Sequence, residues 1–96
     1  MKNQFGNRIR ELRESNKLLQ RQVASILEID TPMLSKIERG ERKAKREQVV
    51  SIAKLLNFDE DELLSLWLAD QVIAILSDEE KIAGIALDKA KEYFKK

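Results

Sequence analysis

The chain has 96 residues, 43% hydrophobic and 36% charged, with three Gly, one Pro, no Cys, no His and a net charge of +1. One domain of ordinary size is implied, a patterned helix-rich globule rather than a disordered tail. The missing Cys and His exclude disulfides, thiolate or imidazole metal sites and Cys- or His-based catalytic relays, so neither an enzyme nor a metal or other cofactor is expected.

The first predicted helix covers residues 4–15, with Asn3 as its N-cap and Phe5, Ile9 and Leu12 recurring at helical spacing as its apolar stripe. Asn16 and Lys17 loosen the chain before Leu18 returns to the core. The second helix, about 20–27, carries Val23, Ala24 and Leu27 on one face. The third starts after Asp30, whose carboxylate can accept the Met33 amide proton. Thr31 and Pro32 fall in its first turn, where proline's missing N–H costs nothing, and Gly40 stops it. After the charged loop 41–46, a helix over about 46–56 places Val49, Val50, Ile52, Ala53 and Leu56 on or near the core face.

Asn57 and Phe58 turn the chain, and Asp59 with Glu62 reads as a capping-box variant that opens the fifth helix. The segment 63–76, LLSLWLADQVIAIL, is unusually apolar. Ser77 and Glu80 read as a second capping box, opening a sixth helix from 78 to about 94 with Ile82, Ile85, Ala86, Ala90, Tyr93 and Phe94 as its stripe.

Residues 18–40, LLQRQVASILEIDTPMLSKIERG, spell two short helices joined by a tight turn. Ala24 lets the two helices cross closely, while Val23, Leu27, Leu34 and Ile37 fill the angle between them. Thr31, Pro32, Met33, Ser35 and Lys36 are left for the outer edge, and a helix held up in this way fits the major groove of duplex DNA. Charge distribution agrees: residues 1–57 hold 13 Lys/Arg against 7 Asp/Glu, and residues 58–96 hold 5 against 10. A basic working half and an acidic half facing elsewhere are implied, against the alternative of charges scattered over solvated helix faces.

Three fragments in this order, RESNKLLQRQVA, LSKIERG and VVSIAKLL, make residues 5–66 resemble the phage-repressor helix-turn-helix family (Cro-like, xenobiotic-response-element type). The resemblance implies an all-α, five-helix lambda-repressor-like DNA-binding domain over residues 1–66. Residues 67–96 then form a C-terminal helical extension packed on the same domain, with helices 5 and 6 as a hairpin. It also implies site residues. Gln20, with Arg21 beside it, would meet a phosphate at the start of helix 2. Thr31, Pro32 and Lys36 would face base edges, with Met33 and Ser35 flanking; Met33 could instead fill a gap against helix 4. Sparse donor chemistry on this edge shifts selectivity toward groove shape and backbone contacts. Arg39, Arg42, Lys43 and Lys45 would lie along the phosphate backbone, or form a merely solvated basic loop. Arg13 and Glu38 would pair between helix 1 and the end of helix 3, aiming the recognition helix.

The sequence departs from the family pattern at Glu28, where glycine is commonest, at Leu19 in place of a Ser/Thr cap, and at Ala44, where a proline is frequent. A left-handed Glu28 would carry strain of roughly 1–2 kcal/mol. Leu64, Trp67, Leu68, Val72, Ile75 and Leu76 exceed what one small domain can bury, so a two-fold interface anchored by Trp67 is expected; the alternative is an intramolecular core.

The expected function is sequence-specific binding of double-stranded DNA by a homodimer on a near-palindromic operator, as a repressor or autoregulator. By size and extension the chain looks most like the controller proteins that accompany restriction–modification genes. The rival reading is an antitoxin-like protein-interaction module whose C-terminal helices bind a partner protein. The first residues, MKNQFGNRIRELR, hold no apolar signal core, and a cytoplasmic chain of bacterial or phage origin is expected, without membrane, metal or small-molecule partner.

Overall fold

A computed structural model describes residues 3–95. Six helices occupy them: α1 (Gln4–Ser15), α2 (Gln20–Leu27), α3 (Thr31–Glu38), α4 (Arg46–Leu55), α5 (Glu60–Leu76) and α6 (Glu80–Phe94), with no strand among the described residues. α5 lies against α1 and α4, α3 against α1 and α2, and α2 against α4. The main core gathers Phe5, Ile9, Ile37, Val49, Ile52, Leu56, Leu63 and Leu64 from α1, α3, α4 and α5, and a smaller cluster of Val23, Ala24 and Leu34 closes the corner between α2 and α3.

Four of the helices end in the same way. After α1, α2, α3 and α4 the backbone passes through a left-handed residue, respectively Lys17 (φ 57°), Glu28 (φ 58°), Gly40 (φ 79°) and Asn57 (φ 53°). In each, the next N–H reaches back to the helix: Leu18 to Arg13, Ile29 to Ala24, Glu41 to Lys36 and Phe58 to Ala53, at 2.8–3.0 Å. These are Schellman stops, and glycine occupies only one of them. Asn tolerates the left-handed region; Lys17 and Glu28 do so at a cost of about 1–2 kcal/mol each. Leu18, Ile29 and Phe58, the residues just after the non-glycine stops, all pack against the core, and their burial offsets that strain.

Helix starts differ from the expected caps. Asn3 accepts the Gly6 N–H at 3.1 Å and Asp30 the Met33 N–H at 2.8 Å, as anticipated. Leu19 and Lys45 lack cap side-chain chemistry, but Gln22 and Gln48, three residues on, accept their main-chain N–H groups at 2.7 and 2.8 Å, supplying half of a capping box. The two predicted boxes further along do not form: Asp59 makes no side-chain cap bond, and α6 starts at Glu80 with Glu79 at its N-cap, while the Ser77 hydroxyl donates back to the Ala74 carbonyl at the end of α5.

The C-terminal part corrects several expectations. α5 runs unbroken across residue 66, as its apolar segment implied. Leu64, expected at a two-fold interface, is 6% exposed and belongs to the core. α6 turns back toward α5, yet none of its residues is buried. Its inner side is Ala83 and Leu87, across an open apolar groove from Ala69, Val72, Ile73 and Leu76. The predicted stripe instead leaves Ile82, Ile85, Tyr93 and Phe94 more than half exposed.

Replacing Glu28 with Gly is expected to stabilise the protein by about 0.5–1 kcal/mol, the relieved left-handed strain less glycine's extra unfolded-state entropy. Urea unfolding of the two proteins checks this, and a loss of stability would mean that Glu28 makes a compensating contact.

Candidate nucleic-acid interface

α3 is eight residues long, too short to hold itself in water. Its inward residues Leu34 and Ile37 are 0% and 2% exposed, and Ala24, at 2%, allows α2 to pass close behind it. Its last residue, Glu38, is a buried carboxylate, 4% exposed. Arg13 grips it bidentately from α1, Nε to Oε2 at 2.7 Å and Nη2 to Oε1 at 3.1 Å, and spends its remaining Nη1 on the Leu18 carbonyl at 2.9 Å. Gln20, at the start of α2, donates Nε2 to the same carboxylate at 3.0 Å. From the other side Asn3 donates Nδ2 to the Glu38 main-chain oxygen at 2.6 Å. The bond to Glu38 raises the Arg13 guanidinium above its ordinary pKa, against the opposing effect of burial.

With its root held, α3 turns Thr31, Pro32 and Lys36 to solvent. Met33 does not share that edge: it is half-buried and packs on the main core, so its gap-filling alternative is the one realised. Ser35 is half-buried too, its hydroxyl taken by the Arg39 guanidinium. Arg39 also pairs with Glu41, Nε to Oε2 at 2.7 Å, and this contact holds the Glu41 carboxyl below the usual carboxylate range. Arg39 must therefore exchange Glu41 for a phosphate to act as anticipated. Gln20 is likewise occupied by Glu38, whereas neighbouring Arg21 is exposed.

The loop after α3 is pinned at one point. Ala44 is 1% exposed, and its carbonyl accepts the Trp67 indole N–H at 2.9 Å. Arg42, Lys43 and Lys45 flank this anchor and stand exposed on the surface. Trp67 thus turns its N–H and part of its ring into its own molecule, as the alternative of an intramolecular core implied. Leu68, Val72 and Ile75 remain exposed at 53%, 40% and 76%, with Leu76 half-buried beside the groove.

Sequence reasoning missed two residues that shape this region. Gly6 lies inside α1, where a Cβ would collide with the Glu38 carbonyl oxygen and the Asn3 side chain; a buried glycine in a helix was the available signal. Asp70 accepts the main-chain N–H groups of Gln4 and Phe5, and its signal was a lone carboxylate within an apolar helix. Among the described residues, no group of His, Cys, Asp and Glu could hold a metal ion, and no helix is long and apolar enough to cross a membrane.

Residues 4–66 match a family described as a helix-turn-helix domain. The chain belongs to that family. Membership carries the coarse function of DNA binding in transcription regulation. Among solved structures, the clp gene regulator ClgR from Corynebacterium glutamicum is similar in fold, with a TM-score of 0.62 at 20% identity over 86% of each chain. No curated protein matches.

Glu38→Ala is expected to destabilise the fold by about 3 kcal/mol, because Arg13 stays largely buried without its counter-charge. Denaturant titration measures this; a loss below about 1 kcal/mol would show that the pair orients α3 without holding the fold together.

Proposed function

We propose that this helix-turn-helix protein is a sequence-specific regulator, a repressor or autoregulator, that binds a near-palindromic duplex as a homodimer. The observation that carries the reading is the outward edge of α3: Thr31, Pro32 and Lys36 are exposed on a helix fixed at its base by Glu38 and flanked by the exposed loop cations Arg42, Lys43 and Lys45. Lys36 supplies a donor for guanine O6 or N7, the Thr31 hydroxyl serves several partners, and Pro32 offers apolar contact to a thymine methyl. The loop cations and Arg21, with Arg39 once released by Glu41, serve the phosphates, and Lys43 reaches Gln71 only at 3.5 Å, so it is readily surrendered.

Dimerisation is supported by apolar surface that one copy leaves open. Leu68, Val72 and Ile75 on α5 and Ile82, Ile85 and Tyr93 on α6 are each at least 40% exposed, an unusual concentration for a monomer. A two-fold axis beside α5 and α6 would set two copies of α3 about 34 Å apart, one turn of the duplex. The same face suits the rival reading, capture of a different protein, and the oligomeric state separates the two. Selection from a random duplex library is expected to enrich an inverted repeat; enrichment of a single half-site would overturn the two-fold arrangement.

Lys36→Ala should weaken binding to the enriched duplex by about 1–3 kcal/mol and spare a scrambled duplex. Arg42→Ala with Lys43→Ala should weaken both and reduce the slope of log K against log salt by about 2. Fluorescence anisotropy across a salt series measures these effects, and equal losses on both duplexes for Lys36→Ala would remove it from base readout. Ile75→Glu combined with Ile85→Glu should convert a dimer to a monomer in sedimentation equilibrium, and an unchanged mass would exclude that face as the interface.

A further inference from the structure

Asp70 lies beyond the residues that match the family, in the middle of α5, and it caps a helix other than its own. Its Oδ1 accepts the Gln4 N–H at 3.1 Å and its Oδ2 the Phe5 N–H at 2.9 Å. These are the first two main-chain donors of α1, which no carbonyl within that helix can satisfy. Asn3 sits next to them and ties the same end of α1 to the Glu38 carbonyl, with Gly6 permitting the close approach. Two sets of hydrogen bonds, joined by the Asn3–Phe5 backbone, therefore link α5, through the start of α1, to the last turn of the recognition helix α3.

Apolar packing joins the same helices, since Phe5, Ile37, Leu63 and Leu64 share the main core. An open pocket of about 160 Å³ lies at the edge of the hydrogen-bonded link, lined among others by Phe5, Ile37, Trp67, Asp70 and Ala74. Apolar contact is non-directional, so at this open edge the polar contacts add the direction that packing leaves free. Two residues along a helix is a rotation of about 200°, so Val72, 40% exposed, is on the far side of α5 from Asp70. The same segment of α5 thus carries the open apolar face and the carboxylate that holds α1.

We propose that Asp70 is a positioning residue for DNA recognition: by capping α1 from α5 it fixes the attitude of α3, so the discrimination between duplexes depends on a side chain that touches no DNA. The proposal rests on the DNA-binding reading above. It identifies α5 as the element through which a change at the C-terminal face reaches the base-reading edge.

The test compares Asp70→Asn and Asp70→Ala with the wild-type chain, at a temperature where unfolding curves show all three folded. Two readouts are taken: amide hydrogen exchange and chemical shifts by NMR, and affinity for a library-enriched duplex and for its scrambled counterpart. Faster exchange at Gln4 and Phe5, shifts in the amides of residues 36–38, and a three- to tenfold (about) loss of preference for the enriched duplex are expected for Asp70→Ala. Asp70→Asn, which keeps one acceptor oxygen, should recover part of that preference. Faster exchange with an unchanged ratio of the two affinities would overturn the proposal and leave Asp70 a stabilising cap only. Unchanged exchange at Gln4 and Phe5 would overturn it as well. Absence of wild-type binding to any duplex would instead bring down the DNA-binding reading, and this one with it.

Discussion

One buried carboxylate organises the helix-turn-helix half of this protein. Glu38 closes a two-turn helix that could not persist alone, and it receives side chains from α1 and α2 while its main-chain oxygen receives Asn3. Burying such a charge is costly, and each of its partners offsets part of the cost only in one geometry. The group therefore favours a single placement of α3 over a range of nearby ones. Hydrophobic burial of Leu34 and Ile37 keeps the helix on the domain, but apolar contact is non-directional and does not by itself set an angle. Direction comes from the guanidinium fork of Arg13.

Much of this was legible in the sequence. The bounds of α1, α2 and α3 follow from apolar spacing and from Asn3, Asp30 and Gly40, residues whose side chain, or lack of one, acts on the nearest backbone. The Arg13–Glu38 pair came from the resemblance to a family, because nothing in local spacing joins residues 25 positions apart. What stayed hidden depends on distant neighbours. Whether Met33 faces a groove or a core, whether Trp67 points inward, and whether Gln20 is already occupied are decided by elements brought together only on folding. The capping boxes at Asp59 and Ser77 satisfied the local pattern and still did not form: neither side chain accepts an N–H of the helix it precedes, and α6 begins only after Glu79.

The C-terminal helices follow a different logic from the rest. α1 to α4 and the first half of α5 bury their apolar faces in two adjoining clusters, whereas α6 has no buried residue and meets α5 across an open groove. Its amphipathic pattern was read correctly as a stripe, but the stripe faces outward, and Ala83 and Leu87 take the inner side. A periodic pattern reports that a face wants cover without reporting which molecule supplies it.

The left-handed helix endings bear on how portable the α2–α3 unit is. In a segment cut from its surroundings, neither Lys17 nor Glu28 has any local preference for the conformation that bends the chain. The bend between α2 and α3 exists because Ile29 is drawn into a core built largely by other helices. Transplanted alone into another scaffold, residues 20–38 would lose their angle before they lost their helices, so the smallest graft that keeps this pair of helices intact must bring α1 and α4 with it.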